Sequence, residues 1–89
     1  MKEQDITISN RLGLHARAAA KFVQLAGSFR ARITLWRDGQ TVDGKSILGI
    51  LTLAAAQGTH LRLRAEGKDE AEAIRALSDL IADKFGEGQ

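Results

Sequence analysis

The extended segments of this chain are apolar on one side only, and that constrains its fold more than any other feature. In Thr59 to Glu66, Leu61, Leu63 and Ala65 alternate with His60, Arg62 and Arg64. Ala31 to Trp36 repeats the pattern, with Ala31, Ile33 and Leu35 set against Arg32, Thr34 and Trp36. Asp5 to Ser9 shows it in shorter form, through Ile6 and Ile8. Side chains two residues apart on a strand share a face. These segments therefore predict a sheet with one buried and one wet face, whose buried face needs a cover.

The segments between the strands have the helical spacing to supply that cover. Ala16 to Ala26 places Ala19, Phe22, Val23 and Ala26 at i, i+3, i+4 and i+7, with Gly27 as a stop and Arg17, Lys21 and Gln24 opposite. Lys45-Ser46 opens a short apolar helix over Ile47 to Ala54 or slightly beyond, ended by Gln57-Gly58. Asp69 begins the last helix, with Glu72 spaced to complete a capping box and Ala71, Ile74, Leu77, Ile81 and Phe85 as its buried stripe. Asp38-Gly39 is a two-residue hairpin signal, so Gln40 to Asp43 returns as the partner of the second strand. The predicted order is βαββαβα. It describes an α+β open-faced β-sandwich, a four-stranded antiparallel sheet with three helices packed on one face.

At 89 residues, 44% hydrophobic and 27% charged, the chain suits a single domain spanning 1–89 with a small core. With 3 Phe, 1 Trp and no Tyr, that core is built from Ala, Leu, Ile and Val. Cysteine is absent, which excludes a disulfide scaffold and a thiolate zinc site, and 2 His argue against a histidine metal cluster. No metal and no cofactor are expected. No apolar run has the length of a signal peptide or a membrane span, so the expected compartment is the cytoplasm, with no membrane insertion. A net charge of +2 does not by itself argue for nucleic acid. A chain this short with no nucleotide loop and no nucleophile elbow fits a carrier or binding module better than a stand-alone enzyme.

The segment richest in chemistry is Gly13-Leu14-His15-Ala16-Arg17-Ala18-Ala19. It sets a histidine directly before the first turn of a helix, where the leading N–H groups lack intrahelical acceptors and carry the positive end of the helix dipole. An anion attached to His15 can accept hydrogen bonds from the amides of Ala16 and Arg17, and the Arg17 side chain adds a charged clamp. Gly13 permits close backbone approach behind the histidine. A histidine that merely points to solvent at a helix start is the plainer alternative.

Gly13-Leu14-His15-Ala16-Arg17-Ala18 resembles the active-site signature of the HPr family, the histidine-containing phosphocarriers of the bacterial phosphoenolpyruvate-dependent phosphotransferase system. Lys45-Ser46-Ile47-Leu48-Gly49 resembles that family's second signature, around its regulatory serine, at the expected distance. Chain length, the Gln57-Gly58 corner and Asp69-Glu70-Ala71 agree, so the resemblance covers essentially the whole chain. It implies that His15 accepts a phosphoryl group on Nδ1 from phosphorylated enzyme I and passes it to EIIA-type acceptors, with Arg17 accompanying the group. It also implies phosphorylation of Ser46 by the serine kinase/phosphorylase that some bacteria dedicate to this carrier. Ala18 departs from the family pattern, which commonly has proline there; the expected consequence is a less rigid helix start with one more N–H donor.

Read from the residues alone, Ser46 is a helix N-cap. Its helix carries more apolar surface than one buried stripe uses. Ile50 and Leu53 suit the core, leaving Ile47, Leu48 and Leu51 partly exposed as a docking patch, with Arg17, Lys21, Gln24 and Lys45 around it. The resemblance makes this the surface shared by enzyme I and the acceptors, and a monomer is expected of a carrier that visits several partners. Two rivals stand beside this reading. One is a carrier of the nitrogen-related or a purely regulatory branch, whose flavour Arg11-Leu12-Gly13-Leu14-His15 has. The other is an open-sheet RNA-binding module using Arg32, Trp36, His60, Arg62 and Arg64, which a single aromatic on that face makes the weaker.

Overall fold

A computed structural model describes residues 1–89, and the chain runs β1 (Lys2–Thr7), α1 (Ala16–Gly27), β2 (Arg32–Arg37), β3 (Gln40–Asp43), α2 (Ile47–Thr52), β4 (His60–Glu66) and α3 (Glu70–Ala82), ending in a 3₁₀ turn over Lys84–Gly86. The four strands form one antiparallel sheet in the order β1-β4-β2-β3. In β2 and β4 the alternation settles the faces. Register sets Ile33 opposite Ala65 and Leu35 opposite Leu63, all buried, while Arg62 and Trp36 pair on the open side. The helices pack on the buried side, and 20 hydrophobic residues from every layer make one continuous core. This is the predicted open-faced sandwich.

The Asp38-Gly39 turn has positive φ at both positions, 48° and 83°, which matches the twist of a tight hairpin and returns β3 where the sequence put it. The open face is a lattice of cross-strand pairs. Arg62 donates to Asp5 at 3.1 Å and lies over the Trp36 ring, Arg64 donates to Glu3 at 3.0 Å, and His60 shares a 2.9 Å hydrogen bond with Thr7. Two of the arginines proposed for an RNA face are thus held by carboxylates of the neighbouring strand.

Four local expectations are corrected. The first strand lies at Lys2–Thr7 rather than Asp5 to Ser9, because backbone pairing with β4 carries it through residues with no apolar pattern. Ile8 lies beyond the ladder but is fully buried. The second helix ends at Thr52, two residues before Ala54, where Ala54 turns to φ 49° and Arg37 donates to the Leu53 and Ala54 carbonyls. In α3 no capping box forms. The Asp69 carboxylate accepts instead from the Arg30 and Ala31 amides, 2.8 Å each, and Glu72 is exposed. The buried stripe of α3 runs through Ala73, Leu77 and Ile81; Ala71 is exposed, Ile74 is half-buried, and Phe85 reaches the core from the 3₁₀ turn.

Candidate functional site

The loop before α1 is fixed from behind. Gly13 has φ 69°, and a Cβ there would stand 2.5 Å from the Ala55 carbonyl oxygen, so only glycine fits. That oxygen accepts from the Leu14 amide at 2.8 Å, and Leu14 is buried. Asn10, fully buried, donates from Nδ2 to the Gly13 carbonyl at 2.7 Å. His15 therefore enters α1 from a clamped loop, with extended backbone (φ −74°, ψ 176°).

His15 occupies the N-cap position but makes no side-chain capping bond. The first helical hydrogen bond runs from the Ala19 amide to the His15 carbonyl at 2.9 Å, and the amides of Ala16, Arg17 and Ala18 have no acceptor within the protein. The imidazole turns the other way: its Nε2 lies 2.5 Å from Oε2 of Glu87. The second carboxylate oxygen, Oε1, accepts from Asn10 Nδ2 at 3.0 Å. The hydrogen bond from His15 above all, then that from Asn10 and the charge of Lys21, hold the Glu87 carboxyl below its ordinary value against the opposing cost of desolvation. Nδ1 is left as the ring nitrogen without a partner.

Arg17 is exposed and lines one cleft together with Arg11, His15, Lys21 and Glu87. Of the residues expected around the docking patch, Arg17 and Gln24 are exposed. Lys21 and Lys45 are half-buried, their ammonium groups donating to the carbonyls of Phe85 (2.6 Å) and Phe29 (2.8 Å). They tie segments together as well as contributing charge. Ile47 and Leu48 are 43% and 77% exposed, Leu51 is half-buried, and Ile50 and Leu53 are in the core. Ser46 accepts from the Gly49 amide at 3.0 Å, the N-cap expected of it. No helix is long and apolar enough to cross a membrane.

Glu87 and Asn10 carry no sequence signal of their own. Asn10 stands five residues before His15, and Glu87 lies between two glycines in what reads as a tail. Their meeting depends on Lys84, Phe85 and Gly86 all taking positive φ, at 56°, 56° and 76°, which reverses the chain toward α1.

Fold and site together define a small α+β protein with a histidine and an arginine on one cleft at an uncapped helix start. A family model described as the PTS HPr component phosphorylation site matches residues 2–83. The chain is 52% identical to phosphocarrier protein HPr of Cupriavidus necator over 89 residues, and 50% identical to that of Pseudomonas aeruginosa over 90, covering all of each protein in both cases. A crystal structure of HPr from Thermoanaerobacter tengcongensis superposes with a TM-score of 0.95 at 54% identity, over 98% of both chains. The chain belongs to the HPr family, the phosphocarriers of the phosphotransferase system.

Proposed function

We infer that this chain relays a phosphoryl group through His15, from phosphorylated enzyme I to EIIA-type acceptors. The observation that carries the reading is the arrangement at His15. Nε2 is engaged by Glu87, Nδ1 is free, and the first three amides of the helix that His15 opens lack acceptors. The Nδ1 lone pair attacks phosphorus and forms the N–P bond, while the bond to the donor atom of enzyme I breaks and its electron pair leaves with the donor. The Ala16, Arg17 and Ala18 amides and the Arg17 guanidinium suit the phosphoryl oxygens by hydrogen bonding and charge. Such in-line transfer needs positioning and charge neutralisation, with the remaining catalysis supplied by each partner's site.

The partners dock, in this reading, on the exposed parts of α1 and α2. Ile47, Leu48 and the accessible part of Leu51 form the apolar centre, and Arg17 and Gln24 its nearby polar rim. Phosphorylation of Ser46 would place about two negative charges at the edge of that patch, opposing acidic partners by repulsion and desolvation. The carrier works in the cytoplasm as one 1–89 domain and as a monomer, although a further T. tengcongensis HPr structure is described as a dimer.

The test is intact-mass analysis after incubation with phosphoenolpyruvate and a catalytic amount of enzyme I. The expected result is gain of one acid-labile phosphoryl group, absent in His15→Ala. No gain with a proven-active enzyme I overturns the reading.

A further inference from the structure

We propose that Glu87, held by Asn10, is a positioning residue for the relay: it fixes the His15 ring with the proton on Nε2, and keeps that proton there while Nδ1 carries the phosphoryl group. The proposal deepens the reading of His15 as the carrier and rests on it.

Geometry comes first. The Glu87 carboxylate uses one oxygen for Asn10 and the other for His15, so it is held at two points. Asn10 is itself fully buried and pinned to Gly13. The segment carrying Glu87 is secured on both sides. Phe85 is buried and its carbonyl accepts from Lys21, while the Gln89 carbonyl accepts from the Arg11 amide at 2.9 Å. Lys84 and Phe85 adopt left-handed backbone, which is strained for residues that carry a Cβ. That strain is offset by the burial of Phe85 and by these contacts, and the turn delivers the carboxylate to the histidine.

The chemistry follows from what a carboxylate can do. An ionised carboxylate only accepts hydrogen bonds, so the ring nitrogen facing it bears the hydrogen. The hydrogen bond made by one ring nitrogen thus selects the state of the other, and Nδ1 is left with its lone pair. When that lone pair forms the N–P bond, both ring nitrogens are substituted and the ring becomes cationic, with the Glu87 charge against it. In onward transfer the N–P electron pair returns to Nδ1, and the ring leaves as neutral imidazole with its hydrogen still on Nε2. Were Nε2 to lose that hydrogen first, the leaving group would be an anionic imidazolate, a far poorer one. The carboxylate therefore keeps the phosphoryl group in its transferable form.

The test uses the full-length ¹⁵N-labelled protein as wild type, Glu87→Gln and Glu87→Asp. Ring tautomer is read from ¹⁵N chemical shifts. Each protein is then phosphorylated with phosphoramidate, which needs no enzyme I, and discharge to an EIIA-type acceptor is followed by ³¹P NMR. Wild type is expected to hold a single Nε2–H tautomer. Glutamine can offer either its carbonyl or its amide to Nε2, so Glu87→Gln should populate both tautomers and discharge about tenfold more slowly, with amide spectra unchanged elsewhere. Glu87→Asp, which keeps the charge, should recover part of both. A wild-type ring protonated on Nδ1, or a Glu87→Gln protein with unchanged tautomer and discharge, overturns the positioning role and leaves the carrier reading standing. Failure of wild type to take a phosphoryl group on His15, from phosphoramidate and from a proven-active enzyme I alike, overturns both.

Discussion

The first two helices begin in opposite ways. At α2, Ser46 turns its hydroxyl onto its own helix and accepts from the Gly49 amide, so the helix start is satisfied locally. At α1, His15 holds the same N-cap position with the same extended backbone and gives its helix nothing. Its ring goes to Glu87, and the Ala16, Arg17 and Ala18 amides are left without protein acceptors. A capped terminus contributes stability; an uncapped one leaves its leading N–H donors free. The twelve residues of α1 and its fully buried Ala18, Ala19, Phe22 and Ala26 let it stand without a cap, whereas α2 has six residues and one buried side chain, Ile50.

The largest expected effect separates the two termini by function. His15→Ala should abolish phosphoryl acceptance and leave the folded spectrum intact, since the ring caps nothing. Ser46→Ala should accept the group at the wild-type rate. Acceptance by His15→Ala, or its unfolding, would erase the contrast. Intact mass and circular dichroism on the same samples decide it.

Next in size is the loop that holds the uncapped end in place. Gly13→Ala must put a Cβ 2.5 Å from the Ala55 oxygen at φ 69°, so it should cost about 3 kcal/mol from clash and backbone strain together. Urea unfolding measures the loss, and a variant within about 0.5 kcal/mol of wild type would show that the loop yields easily.

At α2 the contrast can be sharpened within one side chain. Ser46→Ala removes the cap and should destabilise by about 1 kcal/mol. Ser46→Asp keeps a good cap and so should keep most of that stability, yet its charge beside the apolar patch should slow transfer from enzyme I relative to Ser46→Ala. Stability and transfer would then move in opposite directions across the two variants. Equal transfer rates would remove the regulatory role of Ser46 toward enzyme I.

What the sequence made legible follows the range of the interactions involved. The alternation of β2 and β4, the Asp38-Gly39 turn and the Ser46 cap are decided within a few residues, and each was readable. So was the place of His15 at a helix start. The His15–Glu87 pair spans 72 residues and depends on a reversal at Lys84–Gly86 that no local preference announces. The α3 cap failed for a related reason: Asp69 had the right neighbours in sequence, but the turn before β2 offered it two amides in space. In α3 the i+3 step from Ala71 to Ile74 competes with the i+4, i+8 step from Ala73 to Leu77 and Ile81, and packing on the sheet selects the second.

That third helix start provides the smallest and most specific check on the comparison. Asp69 stands at the N-cap of α3 but gives its carboxylate to the Arg30 and Ala31 amides, so α3, like α1, starts without a side-chain cap. The Arg30 amide chiefly, with help from Ala31, holds the Asp69 carboxyl below its ordinary 3.8, against some desolvation. A carboxyl whose pKa is lower folded than unfolded contributes stability above its unfolded value, and loses it as pH falls through the folded one. Asp69→Asn has a single acceptor oxygen for two amides and should lower Tm slightly at pH 7. The gap from wild type should persist down to about pH 4 and close below 3.8, as the wild-type carboxyl takes up its proton. A gap independent of pH would mean that the carboxylate's charge adds nothing to its hold on the Arg30–Ala31 turn. The uncapped start of α3 would then owe nothing to competition for that charge, and α1 alone would have exchanged its cap for another use of the side chain.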